Sequence, residues 1–442
     1  MVRFKKKTNT YLVYYLILFL LLFSHSSIDA DEIEKFFDAN TINGHSPRDT
    51  LIVVDDMFYG MTYDTEVLTG PGDGMIYRFD PNDTTDYDIL HTFDAGGVAE
   101  DDGRFPFGSL TYYNGKLYGA TSEGGTANIG TVFSINTDGS GYEILHHFTG
   151  GVSGGDTPYH TNTLVYDERL YGVTGYGGQY NRGALFSMTL TGDDFVVEHS
   201  FDRFDADNAS MPLGELIEYN DKLYGISRHG GVLATGGVGS IYEFDPVTDT
   251  FRILHQFERY GTGDAYGGQP DGHLIEFDGV LYGKTGVNYS DKYAVLFKYE
   301  LATDTYSHLY TFFRDNTEFD EGWEVQYGGL IMHQSMLYGM TFAGGSYDSG
   351  VIFAYDPTRD LYEIVYDFNK LAAEENDRMG NPYATLLLYN EKLYGTFSDD
   401  TGFGGGVFGY TPDPPIPEPS TLLLFLFGGS GLWLRKKKRK RK

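Results

Sequence analysis

The chain has 442 residues, of which 58 are glycine, none is cysteine and 16% are aromatic. The lack of cysteine excludes disulfides, thiolate metal sites and cysteine nucleophiles, so a large hydrophobic core must stabilise the fold. The formal net charge is −31, and because twelve of the 32 basic residues lie at the two ends, the body between them carries −41. Such a surface argues against nucleic acid and anionic lipid as partners and suits a soluble extracellular protein.

Residues 1–30 are typical of a secretory signal peptide. Four basic residues precede an unbroken apolar run, Tyr11–Phe23, and small residues follow as far as Ala30. The run is shorter than the ~20 apolar residues of a membrane-spanning helix. We therefore expect export through the Sec translocon and cleavage after Ser26 or Ala30, with an uncleaved anchor as the alternative.

A Leu-Tyr-Gly step recurs seven times within residues 31–411. Its tyrosines follow one another at intervals of 53 to 59 residues, and a period of this length indicates a repeat architecture. The seven steps are Phe58-Tyr59-Gly60, Leu117-Tyr118-Gly119, Leu170-Tyr171-Gly172, Leu223-Tyr224-Gly225, Leu281-Tyr282-Gly283, Leu337-Tyr338-Gly339 and Leu393-Tyr394-Gly395.

The second repeat shows the structural unit. Asn114-Gly115 is typical of a tight hairpin turn that needs positive φ, and turn residues divide the repeat into four short apolar segments. These segments are Leu110–Tyr113, Lys116–Ser122, Thr131–Ile135 and Tyr142–Phe148. Four antiparallel strands repeated seven times predict an all-β protein, a seven-bladed β-propeller of four-stranded antiparallel blades.

The two ends of the repeat region are complementary. The last repeat stops after its third strand, Gly406–Tyr410, whereas Ile33–Ala39 aligns with Ile89–Ala95 of the first repeat's fourth strand. We therefore expect the N-terminal strand to complete the last blade and close the ring, which removes two exposed sheet edges. An open solenoid is the alternative.

The blade connectivity assigns the loops to two faces. Short first-to-second and third-to-fourth turns emerge on one face. The second-to-third hairpins and the long crossovers between blades, such as Gly96–Ser109 and Asp202–Glu215, emerge on the other, here called the crossover face. We expect the crossovers to be loops, and recognition usually sits on variable loops held by a rigid scaffold.

Aromatic and polar side chains of the crossover face suit a sugar ring or a protein partner. Packing between the blades is the alternative for each of them. The binding candidates are Arg104, Phe105, Tyr159, His160, Arg203, Tyr266, Trp323 and Tyr327, and the wider set includes Phe107 and Tyr383.

Motifs for catalysis or metal binding are sparse. There is neither a Gly-x-Ser-x-Gly elbow nor a His-Glu-x-x-His sequence. Glu218 and Glu276 occupy equivalent positions in neighbouring first strands, so they are the candidates for a catalytic carboxylate pair. Asp205 and Asp207 are candidate calcium ligands, although a solvated acidic loop also explains them because the full calcium-loop signature is absent. No other cofactor is indicated.

Histidine recurs in the fourth strand, at His91, His146, His199 and His255, and Tyr310 and Tyr366 take its place in two later repeats. Equivalent residues of different blades are rotated around the ring, so these side chains cannot approach one another to the ~2 Å distances of metal ligands. The recurrence therefore predicts a packing feature.

The C-terminal end has a different character. A proline-rich linker, residues 412–419, overlaps the motif Pro417-Glu418-Pro419, and an apolar run Leu422–Leu434 precedes the basic end Arg435–Lys442. This order predicts a membrane segment with a cytoplasmic basic end. As a helix the run would span only ~20 Å of a ~30 Å hydrocarbon core, which favours a segment removed by a protease over a permanent anchor.

Residues 417–442 resemble a PEP-CTERM sorting signal in the order of motif, apolar segment and basic end. The resemblance implies an exosortase as partner, a Gram-negative bacterium, transient anchoring in the inner membrane, and transfer to the cell surface or extracellular matrix. The body resembles GloVer-type tandem repeats in its Leu-Tyr-Gly steps, its Gly-Gly pairs and the threonines two positions after the glycine, such as Thr121, Thr174 and Thr285. Neither resemblance assigns a catalytic residue.

These features together predict an exported, surface-sorted propeller. We expect it to act as a binding or matrix module for an extracellular polysaccharide or a protein partner. A secreted polysaccharide hydrolase or lyase on the same scaffold is the alternative.

Overall fold

The computed structural model describes residues 47–63, 66–67, 70–71, 73–93, 102–158, 161–202, 209–230, 238–257, 268–270, 272–286, 293–313, 322, 328–369, 380–399 and 404–412. Within these ranges the regular structure is β-strand, and no helix is long and apolar enough to cross a membrane. One antiparallel sheet surrounds each Leu-Tyr-Gly step, and the seven sheets form a seven-bladed β-propeller. The predicted fold class is confirmed. The predicted signal peptide, the predicted sorting signal and the linker beyond Pro412 lie outside the described residues.

The first three blades each contain four strands in sequential order. Blade 1 consists of β1 (Ile52–Val54), β2 (Met57–Thr62), β5 (Met75–Asp80) and β6 (Asp83–Thr92), with a small hairpin of β3 (Glu66–Val67) and β4 (Gly70–Pro71). Blade 2 consists of β8 (Thr111–Tyr113), β9 (Lys116–Gly124), β10 (Thr131–Asn136) and β11 (Glu143–His147), preceded by β7 (Gly103–Pro106). Blade 3 consists of β13 (Leu164–Tyr166), β14 (Arg169–Thr174), β16 (Ala184–Thr189) and β17 (Val196–Ser200), with the short pair β12 (Gly155–Asp156) and β15 (Tyr176–Gly177).

The remaining blades repeat this order. Blade 4 consists of β19 (Ile217–Tyr219), β20 (Lys222–Gly230), β21 (Ser240–Asp245) and β22 (Thr250–Gln256), preceded by β18 (Ala209–Pro212). Blade 5 consists of β23 (Ile275–Phe277), β24 (Val280–Lys284), β25 (Tyr293–Glu300) and β26 (Thr305–Phe313). Blade 6 consists of β27 (Leu330–His333), β28 (Met336–Thr341), β29 (Val351–Asp356) and β30 (Leu361–Asp367). Blade 7 shows β31 (Leu387–Tyr389), β32 (Lys392–Asp399) and β33 (Gly404–Tyr410).

The Leu-Tyr-Gly step is the buried centre of each second strand. Leu117 and Tyr118 are 0% and 3% exposed, and Gly119 faces Phe133 of the third strand. A Cβ atom on Gly119 would lie 2.5 Å from the ring of Phe133, so glycine is needed to let the ring lie over the strand. The other six glycines lie against Tyr77, Phe186, Tyr242, Phe297, Phe353 and Phe408.

The hydrophobic core is divided among the blade interfaces. Among the described residues it forms seven clusters, one between each pair of neighbouring blades. Phe58 and Tyr77 of blade 1, for example, pack against Tyr394 and Val407 of blade 7. Each buried large side chain contributes roughly 1.5–3 kcal/mol, so the stability of one blade depends on its neighbours.

The recurring fourth-strand histidines stack on the next blade, as the packing prediction requires. His146 lies flat on Phe195, with ring centroids 3.9 Å apart, and His255 lies flat on Tyr306 at 3.8 Å. Burial lowers the pKa of His146 and of His255 to about 4. The other stacks pair His91 with Tyr142, His199 with Phe251 and Tyr310 with Tyr362.

A proline that follows a residue with positive φ joins a blade to the preceding one; because the proline ring lies over a glycine of that blade, this is here called the proline-glycine contact. Phe105 has φ +53°, and its N–H donates to the carbonyl of Asp73 at 2.9 Å. The ring of Pro106 then lies over Gly74, where a Cβ would come 2.7 Å from its Cδ. The same positive-φ residue and hydrogen bond recur at Thr157-Pro158, Met211-Pro212, Gln269-Pro270 and Asn381-Pro382.

The crossovers are not simply loops, contrary to the prediction. Strand β7 pairs with the extended end of β9, and β18 pairs with β20 in the same way. The second strands continue past their glycines toward the crossover face, so their free edges can pair with the chain that enters the blade. Parts of Gly96–Ser109 and Asp202–Glu215 are therefore strands.

The ring closes between blade 7 and blade 1. Pro47 lies over Gly405, where a Cβ would come 2.6 Å from the proline Cδ, as in the other proline-glycine contacts. The N–H of Thr385 also donates to Oγ1 of Thr50 at 3.2 Å. In the described residues the seventh sheet has three strands, and the predicted completing strand, Ile33–Ala39, lies outside them.

Candidate functional site

The first strands are the innermost strands of the blades, because strands such as β1, β8 and β13 contact one another around the ring. The residue eight positions before each Leu-Tyr-Gly step leads into the first strand from the crossover face. It therefore lies close to the axis. These seven residues, here called the axial ring, are Thr50, Ser109, Asn162, Glu215, His273, Gly329 and Thr385.

Hydrogen bonds run around part of the axial ring. The N–H of Gly329 donates to Oγ1 of Thr385 at 2.6 Å, and the N–H of Thr385 donates to Oγ1 of Thr50. The N–H of Thr50 in turn donates to Oγ of Ser109 at 3.3 Å. Equivalent residues, which the outer strands hold apart, are thus brought together at the axis.

An acid and a histidine meet in the same ring. Nδ1 of His273 lies 3.0 Å from Oε2 of Glu215, and both side chains are largely buried. Burial favours a higher pKa for Glu215, but the charge of His273 and the nearby Ser109 hydroxyl outweigh it and hold that pKa below its ordinary value. Glu215 therefore stays ionised beside the imidazole.

A second buried carboxyl lies next to the ring. Asp49 is only 4% exposed, and its Oδ2 accepts a hydrogen bond from the N–H of Met61 at 2.7 Å. Burial raises the pKa of Asp49 well above its ordinary value, and the negative charge of Glu215 raises it further. The neutral form of Asp49 is therefore favoured, unlike that of Glu215.

Glycine before the axial ring allows the blades to approach the axis. A Cβ on Gly108 would overlap the carbonyl of Thr161 in the next blade, and a Cβ on Gly328 would overlap the carbonyl of Ala384. Neighbouring backbones therefore touch at this level. The central channel is narrow where the polar side chains meet.

Arg48 occupies the crossover end of the axis. Its guanidinium carbon lies 4.8 Å from the ring centres of both Tyr63 and Tyr383 and 5.7 Å from that of Phe107. Its buried Nε has no hydrogen-bond partner among the described residues. Aromatic faces attract a cation but accept no in-plane hydrogen bond, so these rings leave the N–H donors of Arg48 unpaired, with Nε itself buried.

These groups surround a small half-open depression, here called the axial depression, whose empty space of about 230 Å³ includes solvent at its open mouth. Little of this space is enclosed, so a ligand could place only a small terminal group there and would lie mainly at the mouth. It is lined by Arg48, Asp49, Thr50, Phe107, Gly108, Ser109, His273 and Ala384.

Two of the predicted binding residues lie at the margin of this site. Phe105 stacks on Tyr63 with centroids 5.0 Å apart, whereas Arg104 pairs with Glu123 at 2.9 Å and donates to Asn128 at 2.7 Å. Phe107 and Tyr383, from the wider predicted set, contact Arg48 itself. Outside the described residues lie Tyr159, His160, Arg203, Tyr266, Trp323, Tyr327, the calcium candidates Asp205 and Asp207, and the sorting motif Pro417, Glu418 and Pro419.

The two candidate catalytic glutamates support turns of the opposite face. Oε1 of Glu218 accepts from the N–H of Asp221 at 3.0 Å, and Oε1 of Glu276 accepts from the N–H of Gly279 at 2.6 Å. A catalytic role for the pair stays a prediction. Across the described ranges no group of three or more His, Asp or Glu side chains is placed to hold a metal ion.

Comparison with known proteins agrees with the repeat architecture and the fold. The model of the Gloeobacter/Verrucomicrobia repeat matches residues 22–165 and 153–322. No curated protein matches the chain.

Solved structures of similar fold have diverse roles. Puromycin hydrolase is 14% identical over 86% of this chain and 55% of its own, with a TM-score of 0.50. The periplasmic gluconolactonase of Pseudomonas aeruginosa is 15% identical over 80% of this chain and 97% of its own, with a TM-score of 0.47. A chain of the nidogen/laminin complex is 15% identical over 71% and 95%, with a TM-score of 0.39. At these identities the likeness concerns the fold alone. Because the repeat model spans more than half of the sequence, the chain belongs to the Gloeobacter/Verrucomicrobia repeat family, as its GloVer-type repeats predicted.

Proposed function

We propose that the protein is an exported, surface-sorted binding module that recognises an extracellular polysaccharide at the axial depression. One observation carries the proposal. Aromatic faces flank the guanidinium of Arg48, and two buried polar atoms of residues that line the depression, Nε of Arg48 and Oδ1 of Asp49, lack a hydrogen-bond partner among the described residues. Buried polar atoms normally find a partner, and a sugar supplies both hydroxyl groups and an apolar ring face.

Glycan-array binding of the purified exported chain tests the proposal. Tyr383→Ala removes a half-buried ring beside Arg48, and we expect it to weaken glycan binding roughly tenfold, the loss of an aromatic contact of ~1.4 kcal/mol. Phe277→Ala is the matched control, because that exposed ring lies beside a turn of the opposite face. Equal binding by wild type and Tyr383→Ala would place recognition elsewhere, and no glycan binding at all would favour a protein partner.

Export and surface sorting form the second part of the proposal. The basic and apolar residues of 1–30 and the ordered motif, apolar run and basic end of 417–442 support it. Mass spectrometry of the mature protein is the test. We expect a chain that begins near residue 31 and ends near Pro419, whereas a mature protein that retains Arg435–Lys442 would contradict cleavage by an exosortase.

A polysaccharide hydrolase or lyase is the second candidate function, and the close Glu215–His273 pair favours it because such a pair can exchange a proton with a substrate. Release of reducing ends or of unsaturated uronate from extracted polysaccharide is the readout. Glu215→Gln should abolish the release if this candidate holds, with Glu218→Gln and Glu276→Gln testing the glutamates predicted from the sequence. The binding proposal expects no release by the wild-type protein.

A further inference from the structure

We propose that Arg48 makes the axial depression specific for a carboxylate, the acid group of a uronic acid residue at the end of a saccharide. The inference rests on the proposed function, since it names the chemical class of ligand for the same site. Its basis is an arginine that forms no ion pair with any acid among the described residues, in a protein whose body carries a large negative charge.

Among the described residues, the guanidinium of Arg48 contacts aromatic rings and forms no ion pair. Its guanidinium stands over the faces of Tyr63 from blade 1 and Tyr383 from blade 7. None of the ion pairs among the described residues includes it, whereas Arg78, Arg104 and Arg252 each pair with an acid. Because Nε of Arg48 is buried, a ligand would reach the guanidinium at its two terminal nitrogens, which carry the remaining N–H donors.

The neighbouring carboxyl does not neutralise this charge. Asp49 follows Arg48 directly in the chain, but its Oδ2 is turned to the backbone N–H of Met61 in β2. Burial raises the pKa of Asp49, and within the described residues no ion pair joins it to Arg48. Glu215 is committed to His273 at 3.0 Å.

A carboxylate matches this geometry. Arginine binds carboxylates through two parallel N–H···O bonds in one plane, and a planar group can enter beside the two rings. The small, half-open depression leaves room for a terminal group at its mouth rather than for a long chain segment. Thr50 and Ser109 also line the depression.

The charge of the body limits the ligand further. The net −41 between the two ends repels an anion at long range, and the repulsion grows with the number of charges on the ligand. At physiological salt the Debye length is ~8 Å, so a single terminal carboxylate meets mainly the nearby Arg48. A short oligouronate is therefore favoured over a long polyuronate.

The test measures binding of a short oligogalacturonate and of its methyl ester to the full exported chain by calorimetry. The two probes share sugar and linkage and differ only in charge. We expect the ester to bind roughly tenfold to a hundredfold more weakly, the loss of a charge-assisted hydrogen-bond pair. Arg48→Gln should weaken binding of the acid by a similar factor and leave binding of the ester unchanged. Arg48→Lys keeps the charge but not the two parallel N–H donors, so its affinity for the acid should lie between those of the wild type and Arg48→Gln.

Arg359→Gln is the matched control, because Arg359 lies in a third-to-fourth turn of the opposite face, and it should bind like the wild type. Equal binding of acid and ester, with no effect of Arg48→Gln, overturns the carboxylate inference. If Tyr383→Ala still weakens binding of both probes, the proposed saccharide-binding function stands without the carboxylate specificity. If a carboxylate-bearing peptide binds through Arg48 and neither saccharide does, the saccharide assignment is wrong. If Arg48→Gln fails to fold, the comparison of acid with ester on the wild-type chain decides alone.

Discussion

The glycine of the Leu-Tyr-Gly step shows how one residue type determines the geometry of a blade. Gly119 faces Phe133 across β9 and β10, and the ring occupies the space that a Cβ would need. The same pairing of glycine and aromatic ring holds in all seven blades. The repeat is therefore a packing unit in which a missing side chain on one strand is filled by a ring from the next.

A substitution at this glycine should be rescued by shrinking its partner. We expect Gly119→Ala to destabilise the protein by about 2–3 kcal/mol, because the new methyl group clashes with Phe133 in a close-packed core. Phe133→Ala should cost about 3–5 kcal/mol alone. In Gly119→Ala/Phe133→Ala the loss should be smaller than the sum, as measured by denaturant unfolding. Additive losses would show that the glycine and the ring are independent.

The stacked histidines make stability depend on pH. Burial lowers the pKa of His146 and His255 from the ordinary 6.5 to about 4. Between these values the unfolded chain binds protons that the folded protein excludes, so stability is lost as the pH falls from about 6.5 to 4. After allowance for partial solvent access, the loss is on the order of 2 kcal/mol per histidine.

Blade 5 indicates how to remove this dependence, since Tyr310 replaces the histidine and still stacks on Tyr362. We expect His146→Tyr/His255→Tyr to flatten the stability profile between pH 4 and 6.5, measured by urea unfolding at several pH values. Tyr310→His, the reverse change, should steepen it. An unaltered profile in both variants would assign the acid sensitivity to other groups.

At the scale of elements, the proline-glycine contact joins one blade to the next. Positive φ at a residue other than glycine is a strained conformation, yet it recurs before the prolines of five blades with the same hydrogen bond. In this conformation the N–H of that residue donates to the preceding blade and the following proline ring lies over a glycine. Each contact therefore fixes the angle between two sheets.

Two glycines with similar backbone angles separate close packing from backbone strain. Gly130 has φ +106°, and its Cβ would come 2.4 Å from the carbonyl oxygen of Thr121 in the same blade and 2.7 Å from Cδ of Pro158, whereas Gly115 has φ +83° with nothing within 4 Å. Gly115→Ala should cost about 1 kcal/mol from strain alone. Gly130→Ala should cost about 3 kcal/mol or more, because both neighbours must also shift. Equal losses in thermal unfolding would mean that these close approaches add nothing.

Sequence reasoning succeeded where one residue type repeats in one role. Leu117-Tyr118-Gly119 and its counterparts indicated the number of blades, and the Asn114-Gly115 turn was confirmed with φ values of +50° and +83°. The proline-glycine contact was not predicted, although the sequence holds a pattern that indicates it. Pro106, Pro212, Pro270 and Pro382 all stand eleven positions before the leucine of a step.

The axial ring offers no comparable pattern in the sequence. Its members are two threonines, a serine, an asparagine, a glutamate, a histidine and a glycine, so no single residue type marks the position. Only the geometry of the ring brings Ser109, Glu215 and His273 together. The prediction of a crossover-face site named Phe107 and Tyr383 in its wider set, but Arg48 precedes the first repeat's strand, where no crossover was recognised.

At the scale of the whole molecule, closure of the ring converts seven weakly related repeats into one site. Blade 7 and blade 1 meet through Pro47 and Gly405 and through a shared core cluster. Arg48 and Tyr383, which are 335 residues apart in the chain, become neighbours as a result. The site therefore exists only when the ring is closed.

The predicted N-terminal strand can be tested through its alignment with blade 1. Phe37 aligns with Phe93, which is 2% exposed in the core between blades 1 and 2. If Ile33–Ala39 completes blade 7, Phe37→Ala should lower stability by about 3–5 kcal/mol, as Phe93→Ala should. A neutral effect of Phe37→Ala beside a destabilising Phe93→Ala would refute the predicted strand.

Recognition at the crossover end of the axis is the central claim, and hydrogen exchange of the full exported chain with a short oligogalacturonate tests it most directly. We expect slower exchange in peptides covering residues 47–63 and 380–386, with no change at the opposite-face turns Asn114-Gly115 and Asn220-Asp221. Protection at those turns, or along the outer strands alone, would contradict recognition at the crossover end of the axis.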